Sequence, residues 1–410
     1  MRRPQRVGAV LVALATVALL AACGSTSGGT TSASSKSVNV GVASTLSGTF
    51  ASLGTPGLDG IKLEISQLNK SGGLLGKKLN LVTADDQIDP ATGATVTRNL
   101  ILNDKVVALF GSVSSAVALA QEQLANQYRV PVFFHIANDI GLTTTHFTKN
   151  AFEISPNTDM EPAAAALAFA RVVGKGPIRI ATITPDYSFG LDTAKAFLAD
   201  LKKDGVTYTV TSQQTPALGA TSYTSNIAAM LSSNPQYVFV GEYGGDLTTL
   251  TKQGLGLGLF NKAKVGAMYD YDVLSSLGSQ APAGSIAWDR AAFWAQPGSS
   301  MDRFVSAYKS AFGSYPDEWA INGYVAAEAW AFGVRKAGSF NTTKLSSALG
   351  GASVPTVRGN VMIRGCDHQA EVPENTGTIA GTSSPQYGAR LWGSSSTPAL
   401  SQILSPCAAA

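Results

Sequence analysis

A chain of 410 residues exceeds one ordinary domain, so two lobes are expected. A hydrophobic share of 45% against 14% charge fits a well-packed globular protein with a large core. The net charge of +3 vanishes if the leader carrying Arg2, Arg3 and Arg6 is removed, which argues against nucleic acid as a partner.

That leader comes first in the chain. Its three arginines precede the apolar run Val7–Leu20 and then Leu20-Ala-Ala-Cys23-Gly24. The apolar run is too short to span a bilayer and has signal-peptide form. Leu-Ala-Ala-Cys-Gly resembles the lipobox of bacterial lipoproteins, which implies a signal peptide over 1–22 and lipidation at Cys23. The expected location is therefore outside the cytoplasmic membrane, held by lipid alone. Residues 23–37 are almost wholly Gly, Ser, Thr and Ala, a flexible tether.

The first folded stretch is the strand Val38–Ala43, followed by a polar loop over 44–53. Leu58, Ile61, Ile65 and Leu68 then recur at helical spacing until Ser71-Gly-Gly73 stops them. Leu79–Thr83 reads as a strand, and Asp89-Pro90 as a cap with proline opening a helix to about Leu102. Val106–Phe110 is apolar without alternation, as in a strand buried on both faces. Gly111 breaks it, and Ser114 or Ser115 caps a helix bearing Val117, Leu119, Ala120 and Leu124. Free N–H groups, serine hydroxyls and the positive dipole end make such a start an anion site; the plain alternative is a capped helix. Val130–His135 is a fourth strand.

A second strand–helix series follows Pro156, with helices over 159–173, 189–203, 223–231 and 246–253 and strands over 178–184, 207–211, 237–240 and 264–267. The expected fold is α/β, two Rossmann-like doubly wound lobes facing a cleft. After Gly284 the helices 301–312, 318–336 and 342–349 come without intervening strands and are free to return to the first lobe. Of the cysteines, Cys366 and Cys407 remain if Cys23 is lipidated. A disulfide is the simplest reading in an exported chain and two free thiols the alternative. Such a loop would contribute about 4 kcal/mol on the chain-entropy model.

Enzyme signatures fail. Asp186-Tyr-Ser-Phe-Gly190 misses the nucleophile elbow at its first position, and no His-Glu-x-x-His occurs. His135, His146 and His368 have no metal-ligand spacing, and Gly254-Leu-Gly-Leu-Gly258 follows a helix rather than a strand. No catalytic residue, metal or cofactor is expected. Asp270 and Asp272 form a carboxylate pair that solvated loop positions explain as well. What the strand ends carry is hydroxyls and aromatics: Ser112–Ser115, Ile136-Ala-Asn138, Tyr187, Phe189, Tyr243 and Tyr269-Asp270-Tyr271. Aromatic walls with a few polar anchors suit a small ligand; each aromatic taken singly is better explained by packing, and it is their shared placement just after strands that points to a site.

Several pieces together resemble the branched-chain amino-acid (Leu/Ile/Val-type) binding proteins of ABC uptake systems, with the type I periplasmic binding fold. They are Leu46-Ser-Gly48 with Gly57-x-x-Gly60, Asn69–Gly76, Asp85-Asp86 with Asp89-Pro90, Gly111–Ala116, Pro185–Gly190 and Gly323-Tyr324. The likeness runs from Val38 to His368. It implies three crossovers between lobes: 38–155 plus 284–353 in one, 156–283 plus 354–410 in the other. It implies a ligand carboxylate at Ser114 and Ser115, a carbonyl at Ile136 and an amide at Asn138, and aromatic contacts from Phe189 and Tyr243. It puts Leu53 where the family often has an aromatic, and leaves Asp270 as the acid for a ligand ammonium. The implied function is capture of a small amino acid or a related carboxylate, amide or aromatic acid for an ABC permease and its ATPase. A monomer is expected; the alternative is a ligand sensor on the same fold.

Overall fold

A computed structural model describes residues 36–174 and 176–407. The signal peptide expected over 1–22, Cys23 and nearly all of the tether lie outside the described residues.

The first lobe is a repeated strand–helix alternation. Its elements are β1 (Ser37–Ser44), α1 (Ala51–Lys70), β2 (Lys78–Asp85), α2 (Pro90–Leu102), β3 (Leu109–Gly111), α3 (Ser115–Tyr128), β4 (Val132–Phe134) and β5 (Ala151–Glu153). All pairings are parallel, in the order β2-β1-β3-β4-β5. Central strands buried on both faces explain why β3 and β4 read as unbroken apolar runs. Asp89 caps α2, accepting from the Thr92 amide at 2.7 Å, with Pro90 at the first helical position. Gly111 closes β3 rather than following it.

The second lobe repeats the theme with α4 (Met160–Val173), β6 (Ile178–Ile183), α5 (Ser188–Lys203), β7 (Tyr208–Gln214), α6 (Thr224–Ser232), β8 (Tyr237–Val240), α7 (Gly244–Gly256), α8 (Leu259–Lys262), β9 (Lys264–Ala267), α9 (Tyr271–Leu277) and β10 (Ile286–Asp289). Strand β10 pairs in parallel with β9, so the second sheet runs beyond the break expected near residue 284. The chain then supplies α10 (Ser299–Phe312), α11 (Glu318–Ala337) and α12 (Thr342–Leu349). Helix α11 returns to pack on α1 of the first lobe. A small antiparallel sheet of β11 (Ala352–Thr356), β12 (Gly359–Ile363) and β13 (Ala370–Glu371) follows. Finally β14 (Asn375–Ile379) and β15 (Trp392–Ser396) add antiparallel strands to the second sheet, whose order is β15-β14-β10-β9-β8-β6-β7. A last short helix, α13 (Leu400–Ile403), lies against α4.

Helices α1 and α11 meet at backbone distance. A Cβ on Gly60 would stand 2.0 Å from the Ala320 carbonyl oxygen, and one on Gly323 would stand 2.2 Å from that of Gly57. This close approach accounts for Gly60 and Gly323, placed inside helices despite a propensity cost of about 1 kcal/mol each, while a Cβ on Gly57 would meet His135 Nε2 at 2.8 Å.

Three chain crossings join the lobes and are stitched to one another. Asn157 Nδ2 donates to Gln369 Oε1 at 3.0 Å, and Gln369 Nε2 donates to the Ser155 carbonyl at 2.9 Å. Arg358 donates to the carbonyls of Arg290 and Pro373 and to Asn322 Oδ1. Cys366 and Cys407 form a disulfide with Cα atoms 6.2 Å apart, tying the C-terminal segment to the turn before β13.

Candidate functional site

Both sheets have the same central order. In the first lobe β1 lies between β2 and β3; in the second β6 lies between β7 and β8. Each order reverses at that central strand, and the crevice beyond the strand carboxyl ends at such a point is where open α/β sheets take ligands. The loops after β3, β6 and β8 each run straight into a helix, so three helix N-termini are delivered to one place.

Their caps are Ser114 for α3, Tyr187 for α5 and Tyr243 for α7, all in extended conformation. None makes a side-chain cap bond. By contrast Asp89, Asp270, Asp317 and Asn341 close the starts of α2, α9, α11 and α12 with side-chain acceptors. The three converging helices therefore keep N–H groups and positive dipole ends open toward the space between the lobes.

That space is narrow, a cavity of about 10 Å³ with the lobes in this position, lined by Leu53, Val113, Ser115, Ile136, Asn138, Tyr187, Phe189, Tyr243, Arg290 and Trp319. Of the residues picked from sequence, Leu53, Ser115, Ile136, Asn138, Phe189 and Tyr243 come together here. Ser114 sits beside them as the buried cap of α3. Leu53 lies in the first turn of α1, not in a loop. One turn earlier Phe50 supplies an aromatic face to Tyr243, with ring centroids 5.9 Å apart.

Asp270 is elsewhere. Its Oδ1 accepts from the Val273 amide at 2.8 Å as the cap of α9, and it is fully buried. Burial, reinforced by the nearby Glu318 carboxyl, holds its pKa well above the ordinary value. The acid expected to meet a ligand ammonium thus caps a helix start through one oxygen and does not line the cavity.

Sequence reasoning missed Val113, Arg290 and Trp319, and named Tyr187 only as one aromatic among several. Arg290 matters most. Its Nε donates to Glu161 Oε2 at 2.8 Å, its Nη1 to the Ile136 carbonyl at 2.8 Å, and its guanidinium lies 5.2 Å from the Trp319 ring centroid. Its backbone N–H donates to Glu318 Oε2 at 2.9 Å. Burial works against the charge, and Glu161, Glu318 and Glu374 outweigh it, so the cation is held. Its placement follows from β10: Arg290 is the first residue past the carboxyl end of that four-residue strand.

The lobes touch across this cavity. Tyr187 and Tyr243 share a hydroxyl–hydroxyl bond of 2.8 Å on the second-lobe side. A Cβ on Gly244 would meet Leu53 of α1 at 2.8 Å. Glu242, next to Tyr243, is buried, and neither carboxyl oxygen has a hydrogen-bond partner among the described residues. Burial beside Asp246 pushes its pKa up to about 9. A carboxyl protonated in the fold and ionised in the unfolded chain makes stability fall as pH rises from about 4.5 toward 9. Glu242→Gln is therefore expected to raise the melting temperature more at about pH 8 than at about pH 5, read by thermal denaturation. An equal gain at both would contradict a protonated Glu242.

A two-lobed α/β chain with a closed interlobe pocket, open helix starts and aromatic walls is a binding protein in architecture. The profile described as periplasmic binding protein matches residues 37–380, and the chain belongs to that family. It is 27% identical over 369 residues to the Leu/Ile/Val-binding protein homolog 4 of Brucella abortus (strain 2308), covering 84% of each chain. In fold it is similar to a solute-binding protein of an ABC transporter from Rhodopseudomonas palustris solved with 3,4-dihydroxy benzoic acid. That match has a TM-score of 0.76 at 24% identity and covers 84% of this chain and 93% of the other. It is also similar to the closed leucine-, isoleucine-, valine-, threonine- and alanine-binding protein from Brucella ovis. There the TM-score is 0.78 at 24% identity, covering 90% of this chain and 97% of the other. The resemblance drawn from scattered motifs therefore holds along the folded chain.

Proposed function

We propose that this chain is the extracytoplasmic solute-binding component of an ABC importer. It captures a small carboxylate-bearing solute between its lobes and presents the closed form to a permease driven by ATPase subunits. The observation that carries this reading is the convergence of three uncapped helix N-termini, with Ser115 and Asn138, on one cavity between lobes. Ser114 and Ser115 take the carboxylate, Asn138 and the Ile136 region flank it, and Leu53, Phe189 and Tyr243 enclose the body. The three stitched crossings form the hinge, and solute binding shifts the population toward closure. A thermal-shift screen over amino acids, amides and aromatic acids tests the reading. At least one solute is expected to raise the melting temperature, as ligands of the native state must. A flat response across all three classes would refute it.

The same proposal places the chain as a monomer on the outer face of the membrane, anchored through Cys23. Cys23→Ser is expected to move the protein from the membrane fraction to the soluble one, and retention in the membrane would count against lipidation.

A further inference from the structure

We propose that the cleft selects a small monocarboxylate with an apolar or aromatic body and no α-ammonium group, and that Arg290 sets this selectivity. The inference rests on the solute-binding reading above and narrows its substrate class.

The electrostatics of the cavity are one-sided. Three helix starts present partial positive charge, and the Arg290 guanidinium stands in the wall, paired from behind with Glu161 at 2.8 Å. No carboxylate lines the cavity among the described residues. The acid nearest in bonding is Glu161, and its Oε2 already takes Arg290 Nε at 2.8 Å and Asn138 Nδ2 at 3.4 Å. The Ile136 carbonyl, the acceptor that an ammonium would use at this rim, takes Arg290 Nη1 at 2.8 Å. Asp270 caps α9 and lies outside the cavity lining.

An ammonium entering here would leave water for a site with no carboxylate in its lining, where the Ile136 carbonyl and Glu161 Oε2 already accept from a cation of its own sign. A buried charge without a partner is strongly disfavoured. A carboxylate meets the opposite situation, with open amides, the Ser115 hydroxyl and the dipole ends all donating or positive. The remaining walls are Leu53, Val113, Phe189, Trp319 and the rings of Tyr187 and Tyr243, which suit an apolar body. Arg290 does not yield its place by titration, because a guanidinium stays charged at any physiological pH. It is also fixed geometrically, by Trp319 beneath it and by its own amide on Glu318.

Isothermal titration of the whole protein with leucine and with isocaproate, which is leucine without its amino group, isolates the ammonium; benzoate is the aromatic probe. Isocaproate or benzoate is expected to bind at least tenfold more tightly than leucine. Leucine binding as tightly as both, or more tightly, would overturn the selectivity while leaving the solute-binding reading intact. Failure of all three to bind would also overturn it, and the broader screen then decides the reading separately. Arg290→Met, with its fold checked by circular dichroism, frees the Ile136 carbonyl and Glu161. It is expected to move the isocaproate-to-leucine affinity ratio at least tenfold toward leucine. Because that variant leaves Glu161 buried without its partner, Arg290→Met with Glu161→Gln is the balanced companion, expected to shift the ratio in the same direction. An unchanged ratio in a folded variant would overturn the role given to Arg290.

Discussion

Replacing Ser114 and Ser115 together by alanine is expected to weaken solute binding at least tenfold while the protein stays folded. Ser115 contributes a hydroxyl to the cavity wall, and Ser114 is the cap residue whose side chain makes no bond to the helix it starts. Two hydrogen bonds to a carboxylate, each about 1.5 to 3 kcal/mol where one partner is charged, comfortably exceed the tenfold threshold. The α3 amides remain in the variant, so binding is weakened and not abolished. Alanine also fits a helix start sterically, and a lost cap bond is not at issue where none was made. Calorimetric titration with the tightest solute from the thermal-shift screen reads the effect. Unchanged affinity in the double variant would refute the carboxylate site.

The second large effect falls on stability. Gly323→Ala is expected to destabilise the chain by about 3 kcal/mol, the upper part of the usual cost of overpacking. The added methyl would press on the Gly57 carbonyl carbon and oxygen and not on the end of a flexible side chain. Relief therefore requires α1 and α11 to part along their length, which opens the contacts around Ile61, Ile321 and Tyr324. Gly60→Ala, facing the Ala320 carbonyl from the other helix, is expected to cost a similar amount. Denaturation followed by circular dichroism measures both, and losses below about 0.5 kcal/mol would show that the helices are not in backbone contact.

Much of the fold was legible because parallel α/β units advertise themselves. Apolar runs such as Val106–Phe110 and capped helices such as Asp89-Pro90 carry their signals locally. What failed to show was what depends on tertiary placement. Strand β5 is three residues long and β10 four, too short for periodicity to separate from loop. Missing β10 hid Arg290, because a basic residue in a loop carries no meaning until a strand end points it at a cleft. Asp270 misled for the opposite reason. The run Asp270-Tyr-Asp-Val273 starts a helix, and its first carboxylate was free to be read as a ligand contact until the bond to the Val273 amide claimed it. The glycines of α1 and α11 were visible as a motif, but their cause lies between helices more than 250 residues apart in the chain.

Solute capture requires two lobes that part and close, and an interlobe distance tests that motion most directly. Spin labels at Lys62 in α1 and Lys203 at the end of α5 occupy solvent-facing positions on opposite lobes. With the solute from the screen at saturation, the label separation is predicted to collapse to one short, narrow population from a broader and longer one without it. Identical distance distributions with and without a bound solute would contradict it.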